Sequence, residues 1–230
     1  MVGLLTVFGL GLALGFKHAF DSDHVAAILS LVSETGSLRR AALYGAFWGV
    51  GHTLTLFVVG TALLLLKWQV PASMARAFEW LVGAVLIGLG IRVLVRMRRE
   101  RIHIHWHSHG DVTHIHFHSH RHSADHDHVH RPLLVGVIHG LAGSGSLTLL
   151  VMTTLPSVLQ GVVFILVFGL GSILGMVLTG AAVGVPFTLT RRLERLHRVV
   201  QALAGGLSIA VGILMIVEII VEISLSRSAG

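Results

Sequence analysis

Residues 2–32 read VGLLTVFGLGLALGFKHAFDSDHVAAILSLV, an apolar run interrupted by Lys17-His18-Ala19-Phe20-Asp21-Ser22-Asp23-His24. As one continuous helix the run would measure about 46 Å at ~1.5 Å per residue, longer than a single crossing needs. An ionisable side chain at the bilayer centre costs about 2.5–3.5 kcal/mol on insertion scales. Lys17, Asp21 and Asp23 together are therefore tolerable only if paired or coordinated. A solvated helix end would be the bland explanation, but the apolar stretch Val25–Val32 follows before Ser33 and Glu34. The run is read as a membrane span that carries a polar site and breaks near Phe20–Asp23. Unwound backbone at that depth is tolerated only where it lines a cavity.

The rest of the chain agrees with a membrane setting. Of 230 residues, 53% are apolar and only 12% charged, about half the charged share of soluble domains; the mean hydropathy is +0.81. A soluble enzyme is excluded as a starting class. Met1–Gly15 lacks a basic start and is not expected to be a cleavable signal. Apolar runs place spans near 2–32, 38–66, 78–95, 133–155, 158–188 and 199–223. Connections after the first, third and fifth spans hold twelve arginines, whereas the other side holds only Lys67, Arg76 and Arg227. The positive-inside rule then puts both termini outside the cytoplasm. The net charge of +6 follows from this asymmetry, and no nucleic-acid partner is expected.

The two halves also match. Gly15–His18 aligns with Gly136–His139, Trp48–Gly51 with Phe168–Gly171, and Gly83 and Gly90 with Gly205 and Gly212, at offsets of 121, 120 and 122. The expected fold is an all-α membrane protein of six transmembrane helices, arranged as two inverted three-helix repeats. Residues 1–95 and 133–230 would form the repeats, and 96–132 a His-rich cytoplasmic loop between them.

The polar octet has the chemistry of a metal site. The chain has no cysteine, so thiolate ligands are absent, and imidazole with carboxylate suits nickel, cobalt or zinc better than magnesium or calcium. On a regular helix His18, Asp21 and His24 share a stripe while Asp23 points elsewhere. Either Asp23 serves another face, or unwinding lets all four converge. Asp21 is a ligand or the ion-pair partner of Lys17. In the second span His52, within Gly49-Val50-Gly51-His52-Thr53, is a further ligand candidate or an interhelical hydrogen-bond donor. The second half offers His139, with hydroxyls and carbonyls but no carboxylate.

Residues 103–130 hold twelve histidines, namely His103, His105, His107, His109, His114, His116, His118, His120, His122, His126, His128 and His130. Such a tract reads as metal-binding by composition. The alternating pattern allows a strand, although a flexible loop is expected. The tract would buffer or hand on ions as an accessory, apart from the permeation site, and leaves room for a cytoplasmic metal acceptor as a partner.

His18 to His24, preceded by a basic residue, resembles the H-x4-D-H signature of the nickel/cobalt transporter family, and Gly51-His52-Thr53 is similar to that family's Gly-His-Ser element. The resemblance implies metal permeation, with His18, Asp23, His24 and His52 as the matching positions. The chain departs from the longer members, which have eight spans and an acidic Asp-Thr-Ala-Thr-Glu element. Its shorter, Gly-Ser-containing second half looks closer to the urease-accessory UreH-like branch.

The function expected is transport of Ni2+ or Co2+ through the inner membrane into the cytoplasm, with the ion as cargo and no resident cofactor. Efflux of nickel, cobalt or zinc by proton antiport is the alternative. No enzyme is expected: there is no phosphate-binding loop, and a serine hydrolase built on Ser144, Ser146 and His139 would leave Asp21, Asp23 and His24 without a purpose. A sensor that signals through the histidine loop without transport is a third class.

Overall fold

A computed structural model describes residues 4–99, 104–109, 112–117, 130–155 and 157–228. Helix α1 (Leu4–His18) ends where the polar octet begins, and α2 (Ser22–Val32) starts three residues past it. The break is a tight turn. Phe20 N–H donates to the Lys17 carbonyl at 2.9 Å and Asp21 N–H to the His18 carbonyl at 3.0 Å. Asp21 stands at the N-cap of α2 with extended backbone (φ −62°, ψ 150°). Fifteen residues of α1 and eleven of α2 rise about 22 and 16 Å at ~1.5 Å each. Laid end to end, they put the break well inside the thickness of a bilayer.

Helix α3 (Leu38–Leu66) begins at Ser37, whose hydroxyl accepts from Arg40 N–H, and stops at Lys67 in the left-handed conformation (φ 50°). It is followed by α4 (Ala72–Arg99), the hairpin β1 (Ile104–His109) and β2 (Val112–Phe117), then α5 (His130–Thr154), α6 (Val158–Thr190) and α7 (Glu194–Ser228). Among the described residues α3, α4, α6 and α7 are long and apolar enough to cross a membrane, and α1 and α2 are shorter apolar helices. The chain is a multi-pass helical membrane protein.

The six-helix expectation is corrected by these elements. Seven helices are present among the described residues, because a turn at Ala19-Phe20-Asp21 splits the first run in two. Four helices thus precede the hairpin and three follow it, so the chain is not built of two equal three-helix units. The hairpin is a second departure, since all-α structure with a flexible loop was expected. In it His105 pairs with His116 and His107 with His114. His130 opens α5, while His103, His118, His120, His122, His126 and His128 lie outside the described residues.

Glycines set how closely the helices pack. α3 lies against α5 and α6, α1 against α6, and α4 against α7. A Cβ on Gly136 would strike the Trp48 carbonyl, and one on Gly140 would come within 2.6 Å of the His52 carbonyl. The α3–α5 contact is thus backbone on backbone, as small residues permit in membrane helices. Hydroxyls pin the other seams: Thr53 Oγ1 donates to the Gly169 carbonyl at 3.0 Å, Ser172 Oγ to that of Gly15 at 3.2 Å, and Ser208 Oγ to that of Leu86 at 2.9 Å. At the arginine-rich end Glu34, just after α2, meets Arg96 at 2.7 Å, Arg92 at 3.3 Å and Arg131 at 3.9 Å. That network ties α2 to α4 and α5.

Candidate metal centre

The α1–α2 break turns its side chains toward α3 and α5. His18 closes α1 and His24 lies in the first turn of α2, and their rings stand 4.4 Å apart. His52, on the face of α3 that meets α5, lies 5.2 Å from His24 and 5.3 Å from His18, ring centre to ring centre. One ring nitrogen from each of the three falls within 4.8 Å of the others. Trans ligands at about 2.1 Å from a metal stand ~4.2 Å apart, so small ring rotations would close the three nitrogens on one ion. His139 reaches the group from α5, its ring 5.3 Å from that of His24.

Carboxylates flank the imidazoles. Asp21 Oδ2 is 2.7 Å from His18 Nδ1, and Asp23 Oδ2 is 3.0 Å from His24 Nδ1. Asp23 therefore comes into the cluster, because the break frees it from the regular helical stripe. Asp21, expected as a ligand or as the partner of Lys17, is instead paired with His18. A carboxylate on the far nitrogen of an imidazole fixes its tautomer and makes the other nitrogen a stronger donor.

Burial sharpens the chemistry. His24, His52 and His139 are 2%, 0% and 2% exposed. Neither nitrogen of His52 has a hydrogen-bond partner, nor do His24 Nε2 and His139 Nε2, whereas His139 Nδ1 meets the Val135 carbonyl at 3.0 Å. Leaving a buried polar atom unsatisfied costs about 1–3 kcal/mol. The rings of His52 and His139 that carry such nitrogens stand 5.2 and 5.3 Å from that of His24. A cavity of about 430 Å³ reaches the cluster along His18, Asp23, His24 and His139.

Trp48 escaped the sequence reading as a site residue. It sits one turn before His52, fully buried, with its ring 5.2 Å from His24 and 5.7 Å from His139. Its spacing of four from His52 on a helix was the available signal. Glu79, Glu218 and Glu222, which line the same cavity, were also missed, although carboxylates inside apolar spans invite functional suspicion. The side chains of Ser144 and Ser146 lie outside the described residues.

Comparison with known proteins fixes the family. The family model described as "Cytochrome C biogenesis protein transmembrane region" matches residues 25–214. The urease accessory protein UreH of Bacillus sp. (strain TB-90) is 36% identical over 212 residues, covering 92% of this chain and 91% of that one. The chain belongs to the UreH family. It is equally a member of the wider family that the matching model describes. The nickel transporter NixA of Staphylococcus aureus (strain NCTC 8325 / PS 47) is 34% identical over 67 residues, 27% of this chain and 20% of NixA. UreH and NixA together bear out the resemblance to the nickel/cobalt transporter family. Chloroplast protein FOR GROWTH AND FERTILITY 1 of Arabidopsis thaliana is 25% identical over 177 residues, 76% of this chain and 48% of that protein. No solved structure matches the chain. Without cysteine, thiol–disulfide exchange is closed to this UreH-family member.

Proposed function

We propose that this UreH-family protein carries Ni2+ or Co2+ through the inner membrane into the cytoplasm. In this reading His18, His24 and His52 bind the ion, and Asp23 supplies the negative charge that a dication needs in low dielectric. Asp21 orients His18, and His139 completes the coordination or receives the ion as it moves on. The observation that carries the reading is the convergence of His18, His24 and His52 at a helix break, with His24 and His52 buried and bearing unpartnered nitrogens. Nitrogen-rich ligation favours nickel and cobalt over magnesium, and UreH and NixA are relatives whose names fit the assignment.

Both termini lie outside in this reading, and the histidine hairpin faces the cytoplasm. A dication entering a negative interior gains about 4.6 kcal/mol per 100 mV, twice the single-charge value. Uptake then needs no further energy source. The hairpin and its flanking histidines act as an accessory that retains arriving ions and passes them to a cytoplasmic acceptor. Radioactive nickel uptake into proteoliposomes with an imposed inside-negative potential tests the proposal. Saturable uptake that excess magnesium does not abolish and that Asp23→Asn abolishes is the expected result. No uptake by the wild-type chain, or full uptake by Asp23→Asn at equal incorporation, would overturn it.

A further inference from the structure

The cavity that reaches the histidine cluster has a second lining of different chemistry. Glu79 from α4 and Glu218 and Glu222 from α7 face the same space as His18, Asp23, His24 and His139. The α4–α7 pair is held in register, since Gly83 lies on the Gly212 carbonyl and Gly205 on the Gly90 carbonyl, each with a hypothetical Cβ at 3.0 Å. The three carboxylates thus line one wall of the cavity.

Stability does not account for them. Glu218 and Glu222 are one turn apart on the same helix, where like charges oppose each other, and carboxylates within an apolar span are costly. Arg76 stands near them, but its guanidinium is 3.8 Å from Glu222 and the glutamate side chain is 66% exposed, so that pair is weak. The other end of the cavity points independently to a cationic ligand. His139 lines it, is 2% exposed, and holds Nε2 without a hydrogen-bond partner. One continuous space thus runs from exposed carboxylates to a buried, unsatisfied imidazole.

We propose that Glu79, Glu218 and Glu222 form an acidic antechamber that captures the hydrated dication before it enters the imidazole site. The inference rests on the transport reading above and adds a second binding station to it. Carboxylate oxygens suit hard, hydrated cations and discriminate poorly among them, whereas imidazole prefers late transition metals. The two stations divide the labour: the carboxylates raise the local dication concentration, and the histidines select. Charge-lined clefts raise capture rates by about 10–10³-fold, and the effect falls with ionic strength.

Nickel uptake by proteoliposomes containing the intact chain distinguishes the stations. The combined variant Glu79→Gln, Glu218→Gln, Glu222→Gln should raise the apparent KM about tenfold or more and leave the maximal rate within about twofold. The same variant should lose much of the ionic-strength dependence and be less inhibited by excess Mg2+. Glu218→Asp with Glu222→Asp, which keeps the charge, should restore the wild-type KM; its failure to do so would mean that charge is not what matters. Unchanged KM and unchanged salt dependence in the glutamine variant would overturn the antechamber while leaving the histidine site standing. A lost maximal rate with KM unchanged would overturn it too, by placing the carboxylates in the transfer step. Wild-type protein without uptake would overturn the transport reading and the antechamber with it.

Discussion

Two parts of this chain are rich in histidine, and they are built in opposite ways. The tract at 103–130 concentrates twelve of the 17 histidines in one connection, part of it a two-stranded ribbon. The membrane cluster uses four, drawn from α1, α2, α3 and α5. There each ring is placed by close helix packing, and His24, His52 and His139 are almost fully buried. An imidazole with water on hand can satisfy its nitrogens whether or not a metal is present. The buried cluster cannot, because unsatisfied nitrogens in a dry site cost free energy until something binds them. In the proposed reading the ribbon is therefore the metal buffer and the buried helical cluster the selective site.

The contrast breaks most sharply at the ligands. Asp23→Asn or His24→Ala should lower nickel uptake by more than about 100-fold, since even partners outside the coordination shell are worth ~10–100-fold in affinity. Initial-rate uptake with verified incorporation measures this, and a loss below tenfold would put the selective site elsewhere. Gly136→Val attacks the packing instead. The added side chain meets the Trp48 carbonyl and should push α5 from α3, separating His139 and His52. A destabilisation of about 1–3 kcal/mol, typical of overpacking, should appear as a lower melting temperature, with most uptake lost.

Asp21→Asn should act more gently. The amide can still hold the His18 ring but no longer strengthens it as a donor, so affinity should fall about tenfold, read as a KM shift. Because Asp21 sits 2.7 Å from His18, adding Lys17→Met should not recover the loss. Recovery would make Asp21 the partner of Lys17. The smallest effect belongs to the ribbon: deleting residues 103–130 should change the initial uptake rate by less than about threefold, while the nickel retained per chain drops. In the proposed reading those histidines bind metal outside the permeation path, and complete loss of uptake in a well-inserted deletion would reverse the comparison.

The sequence made much of the helical site legible because charge in lipid is conspicuous. Lys17, Asp21 and Asp23 could not lie in an uninterrupted apolar helix, and the break appears at Ala19–Asp21. Helix α3 runs from Leu38 to Leu66, the limits its apolar run implies. What stayed hidden depends on contacts between distant segments. Nothing local says that Trp48 packs against both His24 and His139, or that Glu79, Glu218 and Glu222 share a cavity with the α1–α2 break. The helix count went wrong for a related reason: a break was expected, but the two pieces were still counted as one span. The alternating His-x-His pattern allows a strand, yet its polar composition favours a loop, and the hairpin of β1 and β2 takes the less favoured of the two.

X-ray absorption spectroscopy of the nickel-loaded chain lacking residues 103–130 tests the central claim most directly. With the ribbon gone, the account predicts about one tightly held nickel per chain, in a shell of nitrogen and oxygen with the multiple-scattering signature of imidazole rings. That signature should weaken in His24→Ala and in His52→Ala. Failure of the deleted chain to hold nickel stoichiometrically, or an unchanged imidazole signature in both variants, would contradict it.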